Sequence, residues 1–270
     1  MKYLRFLAFL VLTSCTYVPP QEFILYQSAF NEAYEATNGL LDVYNGIEKK
    51  ATNTDAGFLP DEAALIAPNA DAPITSLYRR GFHAIAQYNV ILARYAAGES
   101  ISALDPDLNA FQNSISRLGA ALNVEPAAAA SNSILGLAKT LAKISLADSD
   151  AAAFRESILN NSGPIKKFLE SVRLQTTAMY TDAVNAADRR TAADALQSIN
   201  DLAIFRQSLA SWVLLIDETL ITLDALEHVI EQNSGQRAKI TILAASTDRL
   251  ASYAEEIDFM LRQLGDSFSK

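Results

Sequence analysis

The chain has little of what most enzymes and most disulfide-stapled scaffolds are built from. It carries one cysteine and two histidines in 270 residues. A single cysteine excludes any internal disulfide, so the fold has to rest on its packed core. Ten glycines and eight prolines are too few for a loop-rich or many-turned all-β fold. Basic side chains are outnumbered, 22 against 31 acidic, and the net charge of −9 argues against a nucleic-acid binder. Half the residues are apolar and only 20% are charged, which excludes an intrinsically disordered chain and leaves enough material for a sizeable core. The length suits one large or two small domains. About 45 alanines favour closely packed helices.

A long apolar run is missing as well. Lys2 and Arg5 precede only seven apolar residues, Phe6 to Leu12. Such a run has the form of an export signal and is far short of the roughly 20 residues that cross a bilayer. It leads into Leu12-Thr13-Ser14-Cys15, with an aliphatic residue at −3, a small one at −1 and then the only cysteine. The segment resembles the lipobox of bacterial lipoproteins. That resemblance covers the first twenty residues and implies a diacylglyceryl group on the Cys15 sulfur, cleavage before Cys15 and acylation of the new amine. Two chains suffice for stable anchoring, at about 0.8 kcal/mol per buried methylene. Thr16, rather than aspartate, after the cysteine is similar to the enterobacterial sorting pattern for the outer membrane, which is favoured over the inner membrane. The expected division is a signal peptide over 1–14, a lipidated cysteine and short tether over 15–20, and one helical domain over 21–270. Loss of Lys2 and Arg5 with the leader leaves 256 residues and a net charge of −11.

From Glu22 onward the apolar spacing is helical, with no convincing alternation of period two, so the expected class is all-α. A first helix over 20–50 sets Phe23, Tyr26, Phe30, Ala33, Thr37, Leu40, Tyr44 and Ile47 on one face. A second over 73–97 has Ile74, Leu77, Ile85, Tyr88, Leu92 and Tyr95 on one face and Gly98 as its stop. Asp105-Pro106 predicts the start of a third, ending near Val124. Pro126 opens an alanine-rich fourth, to Ala147. Beyond it, 148–187 reads as a long helix interrupted at Asn160 to Pro164. Over 191–232, Leu202, Leu209, Ile216, Leu223 and Ile230 recur every seven residues, with Phe205, Trp212 and Leu226 on the alternate seam position. After Asn233-Ser234-Gly235 a final helix alternates by three and four from Ile240 to Phe268. The expected architecture is therefore an elongated antiparallel helical bundle, with shorter helices over 21–147, a long loop at 51–72 holding one helical turn near 61–66, and long heptad-patterned helices over 148–270.

Chemistry is scarce. With Cys15 assigned to lipid, only His83 and His228 could serve as imidazole bases, and both are expected to be solvated, away from convergent polar groups. Asp224, Glu227, His228 and Glu231 form a ridge at spacings of three and four, the one place where a divalent cation is conceivable. The di-iron pattern, with glutamate three residues before histidine, is absent because residues 225 and 80 are Ala and Arg. The acidic doublets 61–62, 217–218 and 255–256 point apart on a helix. Asn53, Asp55 and Gly57 do not complete a calcium loop. Four basic doublets interrupt the acidic surface, Lys49-Lys50, Arg79-Arg80, Lys166-Lys167 and Arg189-Arg190; Lys49-Lys50 sits at a helix end and complements the dipole, whereas Arg79 and Arg80 lie early in a helix, where the dipole gives no help, and are the better candidates for an anionic partner such as lipid headgroups. The expectation is a protein with no catalytic, cofactor or metal residues, held in the cell envelope through Cys15 and facing the periplasm as a non-enzymatic scaffold, adaptor or binding protein with a protein partner. Two alternatives are a membrane-active protein resembling α-helical pore-forming toxins, with an apolar hairpin between Arg117 and Lys139, and a carboxylate-dependent glycan hydrolase.

Overall fold

A computed structural model describes residues 21–52, 63–122, 155–156, 159–160, 162–188, 195–232 and 237–265. Cys15, the helix expected over 126–147, Arg189-Arg190, the 61–62 doublet and most of the 117–139 hairpin lie outside the described residues. The described chain is all-α, with α1 (Gln21–Thr52), α2 (Ala63–Ile66), α3 (Pro73–Ala96), α4 (Ile101–Leu122), α5 (Gly163–Asp188), α6 (Ala195–Gln232) and α7 (Arg237–Leu264). α1 packs against α7, α3 and α5, and α6 packs against α7, α5 and α3, while α4 is carried on α3.

Helix directions follow from cross-helix bonds. Tyr26–Asn89, Tyr34–His83 and Arg79–Asp42 step down α1 as they step up α3, so the two run antiparallel. Lys166–Asp224 and Arg173–Asp217 show the same for α5 and α6. All eight seam residues of α1 are buried, from Phe23 to Ile47. In the middle of the bundle Phe82 of α3 lies 5.7 Å, ring centre to ring centre, from both Phe168 of α5 and Trp212 of α6. Trp212 donates its indole N–H to Thr37 Oγ1 of α1 at 3.1 Å. Four helices thus meet on one aromatic layer, where each large side chain contributes about 1.5–3 kcal/mol through burial.

The connection from α1 to α3 is pinned from Ala67 onward by the last turns of α1. Asn45 Oδ1 accepts from Ala72 N at 2.7 Å, and Lys49 Nζ donates to the carbonyls of Ala67 at 2.8 Å and Ala70 at 2.5 Å. Glu48, only 4% exposed, accepts from the amides of Ile74 and Thr75, both at 2.9 Å, and from Thr75 Oγ1 at 2.8 Å. A carboxylate of one helix therefore satisfies the free N–H groups that open another, beside Pro73 in the first turn. α3 stops where the backbone turns left-handed at Gly98, φ 96°, whose amide returns to Tyr95 O at 2.9 Å.

α4 departs from the sequence expectation. It starts at Ile101, and Pro106 lies inside it. The extra turn buries Leu104 completely. Arg94 of α3 holds it by pairing with Asp107 and Glu99 and donating to Ala103 O at 3.3 Å. Tertiary contacts of that kind outweigh the one backbone bond that proline removes near a helix start. In the interrupted region Ser162 is non-helical and its carbonyl accepts from Ile165 N at 2.9 Å, so the break lies immediately before α5.

Candidate functional site

The two arginines singled out by sequence take different roles. Arg79 Nη2 meets Asp42 Oδ1 at 2.6 Å and its Nε meets Asp71 Oδ2 at 2.9 Å. Burial works against its charge, and the two carboxylates more than offset this and raise its pKa. An outside anion would compete with both. Arg80 is exposed and donates to the Arg117 carbonyl at 3.2 Å.

The histidines also separate. His228 is half exposed and its Nδ1 stands 3.3 Å from Glu231 Oε2. His83 is a correction to the expected solvated residue. It is partly buried between α1 and α3, with Nδ1 2.9 Å from the Tyr34 hydroxyl and Nε2 3.3 Å from the Gln87 amide nitrogen. Desolvation, with the nearby Arg117 charge, lowers its pKa and favours the neutral ring. The acidic ridge on α6 is claimed by α5, since Lys166 Nζ reaches Asp224 Oδ1 at 2.5 Å and Glu227 Oε2 at 2.6 Å. Among the described residues no group of three or more His, Cys, Asp or Glu is arranged to hold a metal ion. Asp217 and Glu218 diverge, one to Arg173 of α5 at 2.7 Å and the other to Arg249 of α7 at 2.6 Å.

The most unusual surface lies on α6 and was not anticipated. Its inner seam is buried at Phe205, Leu209, Trp212, Ile216, Leu223, Leu226 and Ile230. A second row, Ile199, Ala203, Arg206, Ala210, Leu214, Asp217 and Ile221, recurs by three and four along the outside of the same helix. At 100° per residue this row keeps within about 80° of the circumference, as a coiled-coil seam does. Ile199 is 64% exposed, and Leu214 and Ile221 are each 46% exposed. At the α5–α6 boundary Tyr180, Ile199, Leu202, Ala203, Arg206 and Ala210 line an open groove of about 540 Å³. Arg206 is exposed within it and has no carboxylate within ion-pair distance among the described residues. An apolar groove around Arg206, a cation without an acidic partner among the described residues, suits a helix that brings apolar side chains and a carboxylate. The signal was present in the sequence: a helix apolar on two faces is one that packs on two sides.

Among the described residues no helix is long and apolar enough to cross a membrane. Compared with models of known protein families, with curated proteins and with solved structures, the chain matches none.

Proposed function

We propose that the protein is a bacterial envelope lipoprotein, tethered through acylated Cys15, that works as a non-enzymatic helical scaffold or adaptor on the periplasmic side, with the outer membrane as the favoured address. The outer seam of α6 carries the scaffold reading, because about 33 Å of helix surface, from Ile199 to Ile221, is patterned for a helical neighbour and stays exposed at Ile199, Leu214 and Ile221, with no helix packed along it among the described residues. The lipobox sequence supports the tether. Only five residues separate Cys15 from Gln21, where α1 begins, so the bundle rides within about 20 Å of its membrane.

Two measurements test this. The intact mass of the membrane-extracted protein is expected to show cleavage before Cys15 plus acyl chains, and Cys15→Ser is expected to leave the membrane fraction; an unacylated mass overturns the tether. A photo-crosslinker placed at Leu214 in cells is expected to give one discrete membrane-associated adduct that Ala210→Glu abolishes. Free, unadducted protein in every growth condition overturns the scaffold role.

A further inference from the structure

The outer seam of α6 is complementary to itself when two copies run antiparallel. Laid head to tail about an axis near residue 212, the small Ala203 faces the large Ile221 of the second copy and Ala210 faces Leu214. In the same register Arg206 faces Asp217, and the twofold generates each pairing twice. Parallel alignment does the reverse, setting Arg206 against Arg206, Asp217 against Asp217 and alanine against alanine, with like charges opposed and holes left in the seam. The charges fit the antiparallel case in detail. Asp217 already meets Arg173 Nε through Oδ1 at 2.7 Å, and a carboxylate has a second oxygen for a second guanidinium. Arg206, exposed and without an acidic partner among the described residues, supplies one. Alternation of small and large side chains along the row is what lets two helices interdigitate at close approach.

We infer that this face binds a second copy of the same chain, forming a twofold-symmetric antiparallel dimer through residues 199–221 of α6. The inference deepens the scaffold reading by naming the partner of the same face; it does not depend on acylation of Cys15.

The test uses the full-length protein in its native membranes, where Cys15 is the only natural cysteine. Differently tagged Ala210→Cys and Leu214→Cys chains are co-expressed and oxidised. The mixed 210–214 cross-link is expected to dominate over 210–210 and 214–214; dominance of the like pairs, or no cross-link, overturns the antiparallel dimer. In detergent-extracted protein, sedimentation is expected to show a dimer that Arg206→Asp or Asp217→Arg each weakens by about tenfold or more, and that the double exchange restores to within a few-fold. Since Asp217→Arg also removes the Arg173 pair, Ala210→Glu serves as the variant that breaks no ion pair among the described residues; its carboxylate, one turn from Arg206, also takes up that cation within its own chain. Helical ellipticity is expected to stay unchanged in Ala210→Glu while dimer is lost. A wild type that stays monomeric at tens of micromolar, or charge variants that dimerise as wild type does, overturns the proposal. A monomer that still gives the Leu214 adduct in cells would sink the dimer and leave the scaffold reading standing with a different helix as partner.

Discussion

Gly81 gives a sharp test of how the centre of the bundle is packed. A Cβ at this position of α3 would lie 2.5 Å from Cζ of Phe168, 3.0 Å from Cε2 and 3.3 Å from Cε1. Carbon atoms settle at about 3.5–4.0 Å, so the ring would have to retreat by roughly 1 Å. It has little room, being 1% exposed and set edge-on to Phe82, which itself rests on Trp212. Overpacking of this kind costs about 1–3 kcal/mol, against about 0.8–1.0 kcal/mol that alanine gains over glycine inside a helix. Gly81→Ala should therefore destabilise by about 1 kcal/mol. Gly39 of α1 is the control, since its added Cβ would meet only Cδ1 of Leu261, at 3.0 Å, the free end of a flexible side chain. Gly39→Ala should be neutral or stabilise by up to about 1 kcal/mol. Urea unfolding followed at 222 nm should move the two midpoints in opposite directions, by about 0.3–0.5 M for each kcal/mol. Phe168→Leu in the Gly81→Ala background should cost less than Phe168→Leu alone, through coupling of about 0.5–2 kcal/mol. If Gly81→Ala raises the midpoint as much as Gly39→Ala, the close approach of α3 and α5 is refuted.

Glu48→Ala leaves three donors at the start of α3 without their acceptor and should cost about 2–4 kcal/mol, read from the urea midpoint. Burial pushes the Glu48 carboxyl above its ordinary 4.5 despite those bonds. Its ionisation is thus harder in the folded chain than in the unfolded one, and its pH-linked stability is full below 4.5 and declines as pH rises through the folded value; Glu48→Gln should flatten that decline. His83 has the opposite sign: its folded pKa is lowered, so stability present above 6.5 is lost as pH falls through the folded value, and His83→Gln should remove that part of the loss between pH 7.5 and 5. An unchanged acid limb in the His83→Gln protein would count against the burial of His83 between α1 and α3. Lys166→Ala strips the cation from Asp224 and the largely buried Glu227 and should cost about 1–3 kcal/mol, most of it recovered in Lys166→Ala/Glu227→Gln.

Spacing alone located the buried faces, because burial in a helical bundle is decided mainly by which residues share a face. The α1 row from Phe23 to Ile47 and the α6 row from Phe205 to Ile230 are both buried as their three-and-four alternation predicts. Three features were harder to read. The start of α4 was hidden because Asp105-Pro106 is a strong local signal, and what overrides it is Arg94, held thirteen residues away from Asp107 in sequence. The fate of Arg79 and the position of His83 were hidden because Asp42 and Tyr34 belong to another helix, and no one-dimensional pattern reports which carboxylate or hydroxyl will lie opposite. The outer α6 row was legible but masked by the inner one. Once a helix is assigned a single apolar stripe, Ala203, Ala210 and Leu214 read as tolerated surface residues rather than as the small and large members of a second seam.

The proposed tether and the proposed twofold constrain each other. Tyr26 of α1 lies level with Thr222 of α6, so α1 begins near the end of α6 marked by Glu227, about fifteen residues and roughly 23 Å from the proposed axis near residue 212. An antiparallel pair therefore sets its two α1 starts about 45 Å apart along the bundle, one at each end. Tethers of five residues span at most about 18 Å each and cannot bring both ends to one end-on attachment point. Only two arrangements satisfy both proposals. With the twofold axis along the membrane normal, both anchors enter the same leaflet and the paired bundles lie flat on it; with the axis in the membrane plane, the anchors point away from each other and the dimer bridges two surfaces. In either arrangement exposed Ile24 and Leu25, 50% and 52% accessible beside the first turn of α1, stand next to the proposed anchor and face the headgroup layer that it would occupy.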